Sequence, residues 1–99
     1  MPASPLSIDS NHPAFAGHFP SHPIVPGVLL LDLAGQAIEA ASGRRVCGLA
    51  VAKFVAVAEP GDALQLEYEL QDNAVPFRIL SGERLIATGR FHLGEEAAS

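Results

Sequence analysis

His18 stands in Phe15-Ala16-Gly17-His18-Phe19-Pro20, and Asp32 follows it fourteen residues later. An imidazole titrates near neutral pH, so a His held in a proline-stiffened loop is suited to proton transfer. A packed loop His bonded to a carbonyl would look the same in sequence. Asp32 interrupts the apolar stretch Val28-Leu29-Leu30-Leu31 and Leu33-Ala34. A buried carboxyl group is costly unless it is paired or protonated, and a protonated one can donate its proton. A salt bridge or an amide contact across an interface would account for it equally well. Pro26-Gly27-Val28 supplies a third element. Helix N-termini carry unpaired amides and the positive dipole end, and glycine there lets a ligand come close. Such amides can hold a carbonyl oxygen as it gains negative charge. The same Pro-Gly pair is also an ordinary way to start a helix.

His12, His18, His22 and Cys47 could suggest a metal, but their spacing, with prolines between, fits no zinc pattern. His12 and His22 are expected on a loop surface and His92 on a strand face. Cys47 is expected to be a small buried hydrophobe. Neither a glycine-rich phosphate loop nor a serine nucleophile elbow is present.

The elements that must position these residues follow from proline, glycine and periodicity. Pro5, Pro13, Pro20, Pro23 and Pro26 crowd the first quarter of the chain. Residues 11–26 therefore read as an ordered, irregular loop. A helix opens at Pro26-Gly27 and runs through Ala41, and Ser42-Gly43 ends it, with Arg44 and Arg45 near its negative end. Its first two turns are apolar nearly all round, which predicts a buried helix. Gln36 lies one turn after Asp32 on the same face. Val46 to Ala58 reads as a long strand buried on both faces. Pro60-Gly61-Asp62 turns the chain. Leu64, Leu66, Tyr68 and Leu70 alternate with polar residues, the period of a strand with one wet face. Val75, Phe77 and Ile79 share one face of the next strand, and Pro76 marks either an edge or a strand start. Ser81-Gly82-Glu83 is a tight hairpin. Leu85, Ala87, Gly89, Phe91 and Leu93 form one face of the last strand, and 94–99 is expected to fray. One helix followed by four antiparallel strands is an α+β arrangement, with the chain as a single domain over 1–99.

The chain has 99 residues, 48% hydrophobic, with six aromatics and no Trp. A domain this small buries only about two-thirds of its unfolded surface. One helix cannot cover a whole sheet, so pairing two sheets edge to edge in a dimer is expected to complete the core. The net charge of −5 argues against nucleic acid and an anionic membrane surface as partners. No apolar run approaches the roughly 18 residues of a membrane span. The first ten residues lack a basic, apolar leader pattern, and a lone Cys fits a reducing compartment. A cytoplasmic location is expected.

Gly17-His18-Phe19-Pro20-Ser21-His22-Pro23-Ile24-Val25-Pro26-Gly27-Val28, with Asp32 fourteen residues after His18, resembles the signature of the 3-hydroxyacyl-[acyl-carrier-protein] dehydratases (FabA/FabZ-like). Lys53-Phe54 followed by Pro60-Gly61-Asp62-Ala63-Leu64 resembles a second stretch of that family. The resemblance implies a hot-dog fold, a long central helix wrapped by an antiparallel sheet, in dimers that share one sheet. It implies dehydration of a (3R)-3-hydroxyacyl carrier thioester to the trans-2-enoyl thioester, in fatty-acid or specialised lipid biosynthesis, without a cofactor. His18 would take the C2 proton. Asp32 of the facing subunit would help the C3 hydroxyl leave as water. The Gly27 amide, beside Val28, would polarise the thioester carbonyl, and Phe19, Pro26 and Gln36 would line the substrate channel.

Three departures stand out. Ser21 replaces the second glycine of the family's loop motif. The family's N-terminal strand is expected to be truncated or absent. Val55-Ala56-Val57 occupies positions where many relatives carry basic residues that meet the acidic carrier, so docking would shift to Arg44, Arg45, Arg78 or Arg84. The short form resembles dehydratases of aryl-polyene pathways. A hot-dog acyl thioesterase and a non-catalytic acyl-binding subunit are the alternative functions.

Overall fold

The structure is a computed structural model and describes residues 3–6, 25–59 and 61–96. Most of the expected proline-rich loop, with His12, His18, Phe19, Ser21 and His22, lies outside the described residues.

The helix forms where the sequence places it. α1 spans Gly27–Ser42. Pro26 precedes it in an extended conformation, φ −59° and ψ 139°. Proline lacks an amide, and its fixed φ is compatible with a helix start. At the other end Gly43 turns left-handed, φ 69°, and its N–H donates to Glu39 O at 3.0 Å. Only glycine adopts that conformation without steric cost.

The strands are β1 (Ala3–Leu6), β2 (Arg44–Phe54), β3 (Leu64–Tyr68), β4 (Ala74–Ser81) and β5 (Arg84–Glu96). They form one antiparallel sheet in the order β1-β3-β4-β5-β2. Its inner face carries Leu64, Leu66 and Tyr68 from β3, Val75, Phe77 and Ile79 from β4, and Ala87, Phe91 and Leu93 from β5. These pack with Leu30, Ala34 and Ile38, one turn apart along α1. Phe77 and Phe91 stack with centroids 4.6 Å apart. The Phe77 ring covers Gly89, its direct cross-strand neighbour, where a Cβ would stand 2.6 Å from Phe77 Cζ.

Several expectations are corrected. A fifth strand, β1, is present, and Pro5 is tolerated there because β1 is an edge. The strand read over Val46–Ala58 starts at Arg44, stops at Phe54 and is the opposite edge, so it is not buried on both faces. Leu49, Val51, Phe54, Val55 and Val57 are exposed, as is Cys47, whose Sγ donates weakly to His92 O. Pro76 sits near the start of a central strand, so of its two readings the strand start holds; its carbonyl still accepts from Glu69 N–H. Leu70 falls beyond β3 and is exposed. The end does not fray at Gly94, because Glu96 of β5 pairs with Arg44. Arg44 is drawn from the helix dipole to main-chain carbonyls, donating to Gly94 O, Gln71 O and Asp72 O.

Candidate functional site

The described part of the first motif stretch, from Val25 onward, meets the segment that follows Phe54 at the start of the helix. Val25 N–H donates to Ala58 O at 2.7 Å, tying the entry of α1 to the segment leaving β2. Val25 and Ala58 are both buried. Just after Phe54, the amides of Val55 and Ala56 both donate to Ile86 O, at 2.8 and 3.2 Å. Between these ties lies an apolar cavity of about 340 Å³, lined by Val25, Pro26, Gly27, Val28, Leu30, Phe54, Ala56 and Val57. Pro26, Gly27 and Val28 are thus brought together. The helix ladder begins with Leu29 and Leu30, whose amides donate to Pro26 O, so the Gly27 and Val28 amides precede it.

Glycine at position 27 has a second explanation besides ligand approach. A Cβ there would lie 2.6 Å from Phe54 Cζ, so the aromatic ring rests on Gly27. Phe54 is a site residue that the sequence reading quoted but did not assign. Its signal was an aromatic at the end of a strand in the second motif stretch.

Asp32 and Gln36 form a separate group. They line a second cavity of about 240 Å³ with Leu31, Gly35, Glu39, Val46 and Phe91. Gln36 Nε2 donates to Asp32 Oδ2 at 3.1 Å. Glu39 Oε2 accepts from Val46 N–H at 2.9 Å, where the pairing of β2 with β5 is irregular. Glu39 was missed, although it lies three residues after Gln36 on the same helix face.

The expected burial of the helix all round is corrected here. Asp32 and Gln36 are exposed and Val28 is 80% exposed, so a stripe at four-residue spacing faces outward from a single chain. Among the described residues nothing covers this face, because the sheet packs on the opposite one. His18 and Phe19 lie outside the described residues, and among those described the Gly27 cavity and the Asp32 cavity are distinct.

Of the four arginines expected to meet a carrier, Arg44 is engaged by carbonyls, Arg78 pairs with Glu67, and Arg84 lies 3.7 Å from Asp62. Arg45 is exposed. Among the described residues, no helix is long and apolar enough to cross a membrane.

Residues 3–90 match the family model described as ApeI-like, ApeI dehydratase. The chain is 37% identical over 103 residues to the 3-hydroxyacyl-[acyl-carrier-protein] dehydratase FabZ of Thermus thermophilus, covering 94% of this chain and 68% of the relative. It is 42% identical over 73 residues to FabZ of Chloroflexus aggregans, covering 65% of this chain and 51% of that one. The chain thus spans about half to two-thirds of these relatives. Among solved structures, the dehydratase heterocomplex ApeI:P from Xenorhabdus doucetiae superposes with TM-score 0.79 at 25% identity, over 92% of this chain and 84% of the other. A mutant of the fluoroacetyl-CoA-specific thioesterase FlK superposes with TM-score 0.63 at 15% identity, over 95% and 87%, a likeness of fold alone.

Proposed function

The chain belongs to the ApeI-like dehydratase family and has its hot-dog fold, and from that premise we propose that it removes water from carrier-bound (3R)-3-hydroxyacyl chains. The product is the trans-2-enoyl thioester, and the chain acts as one hot-dog unit.

His18 takes the C2 proton as the thioester oxygen gains charge against the Gly27 amide, helped by the positive end of α1. The electrons form the C2–C3 double bond, and the C3–O bond breaks with Asp32 of the facing subunit assisting. The hydroxyl takes up a proton equivalent to the one His18 removed and leaves as water, which returns His18 to its starting state. The chain's own groups suffice for these steps.

The observation that carries this reading is the separation of the two cavities. Asp32 faces outward on an uncovered helix stripe and does not line the Gly27 cavity. The exposed apolar side chains along edge strand β2 and the following segment outside the cavity, Leu49, Val51 and Val55, favour a second copy against this edge. We infer a dimer in which Asp32 of one subunit completes the Gly27 site of the other. The heterocomplex among the structural neighbours favours a second form of the assembly, in which a different chain takes the partner's place. Acyl carrier protein is the inferred substrate bearer and the cytoplasm the inferred location.

Mass spectrometry of 3-hydroxyacyl carrier substrates after incubation tests the reaction. Loss of one water supports dehydration, release of free acid supports a thioesterase, and an unchanged substrate that stays bound supports an acyl-binding subunit.

A further inference from the structure

Phe54 has no part in the proton transfers, yet its ring lies beside the amides that the reaction uses. The tip of the ring points at Gly27, with Cζ, Cε1 and Cε2 at 2.6, 2.9 and 3.0 Å from where a Cβ would be. Phe54 is 47% exposed although its ring packs on the helix start, so it is held on one side only. The backbone beneath it cannot retreat. Phe54 pairs with Ala87 in the sheet, and the next two amides are both tied to Ile86 O. The ring is therefore the adjustable part of this wall.

The other lining residues are Val25, Pro26, Val28, Leu30, Ala56 and Val57, all apolar. A cavity of about 340 Å³ is at the small end of small-molecule sites. A side chain that fills part of such a volume decides which apolar group fits, because overpacking and empty space each cost binding energy.

We propose that Phe54 is a specificity-determining residue: its ring, seated on Gly27, sets the length and bulk of the acyl chain that can lie against the start of α1. This inference rests on the dehydratase reading for the identity of the ligand as an acyl thioester. The occupant of the cavity is the hydrocarbon part of that acyl group, since the lining offers no charged side chain to a polar one.

The test uses unreactive pantetheine amides carrying short, medium and long acyl chains, with binding measured by calorimetry to the whole protein. Phe54→Ala, Phe54→Leu and Phe54→Trp are compared with the unaltered chain, and circular dichroism monitors folding. Phe54→Ala is expected to raise the affinity ratio of long over short chains about tenfold, the scale on which a pocket reads small changes in apolar size. Phe54→Leu is expected to shift it in the same direction by less, and Phe54→Trp to shift it the other way. Ratios unchanged within about twofold in Phe54→Leu and Phe54→Trp overturn the proposal, as does failure of the unaltered protein to bind any acyl amide. Turnover of 3-hydroxyacyl thioesters is followed in parallel. Absence of water loss there removes the dehydratase reading alone, while the binding ratios still decide the role of Phe54.

Discussion

Gln36 Nε2 donates a hydrogen bond to Asp32 Oδ2 at 3.1 Å, from one turn further along the same exposed helix face. The bond engages one of the two side-chain oxygens of Asp32. In the proposed mechanism Gln36 is a positioning residue for Asp32. Gln36→Leu is expected to lower kcat about tenfold with little change in KM. Stability should hardly move, since an exposed pair at this spacing contributes about 0.2–0.5 kcal/mol. Steady-state kinetics beside a thermal melt separates the two effects, and equal loss of folding would mark Gln36 as structural.

A site shared between subunits makes a prediction that a self-contained site does not. His18→Ala and Asp32→Asn are each expected to abolish dehydration while preserving the dimer. Mixing the two inactive proteins after unfolding and refolding should recover about a quarter of normal activity, because half of the random dimers are mixed and each mixed dimer holds one intact site. Activity that stays at zero in the refolded mixture, with mixed dimers shown by mass, would place both residues in one subunit's site.

The exposed edge is the second test of assembly. Lysines at Leu49 and Val51 add charge, beside Lys53, to exposed apolar positions of an edge strand, a common way of blocking edge pairing. The double variant Leu49→Lys, Val51→Lys is expected to run as a monomer in light scattering and to lose dehydration, with strand content retained by circular dichroism.

Gly89 allows β2, β4 and β5 to approach. A Cβ there would stand 2.5 Å from Val51 O and 2.6 Å from Phe77 Cζ, and backbone oxygen cannot move aside as a flexible side chain can. Gly89→Val is expected to destabilise the chain by about 3 kcal/mol, the upper end of overpacking costs. The melting temperature should fall by roughly 10 °C or more.

Arg44 joins the start of β2 to the β3–β4 connection and the end of β5, through the carbonyls of Gln71, Asp72 and Gly94. Arg44→Met is expected to cost about 2 kcal/mol, the scale of hydrogen bonds to a charged group. Arg44→Lys should not restore the loss, because a single ammonium cannot reproduce the planar fork. Chemical denaturation of the three proteins measures the difference.

Much of the fold was legible because its causes are local. Pro26 and Gly43 bound the helix through what their backbones can and cannot do. The alternation from Leu64 to Tyr68 marks a strand because successive side chains point to opposite faces. Asp32 and Gln36 share a face by helix geometry alone, and their hydrogen bond agrees.

The misreadings share a different cause. Val46 to Phe54 is apolar enough for a central strand, but sheet order is decided by pairing between distant segments, and this strand is an edge. Cys47, Val28 and Asp32 are exposed for the same reason, since no described part of the chain lies over them. The sequence by itself determined the helix and its ends, the alternation of β3 and the residue types fit for proton transfer, whereas β1 and the bounds of β2 escaped it. Only the tertiary structure decided that Phe54 rests on Gly27, that Glu39 holds Val46, and that the Gly27 and Asp32 cavities stay apart among the described residues. Local conformation depends on neighbours along the chain, whereas these contacts depend on the packing of segments that the sequence keeps far apart.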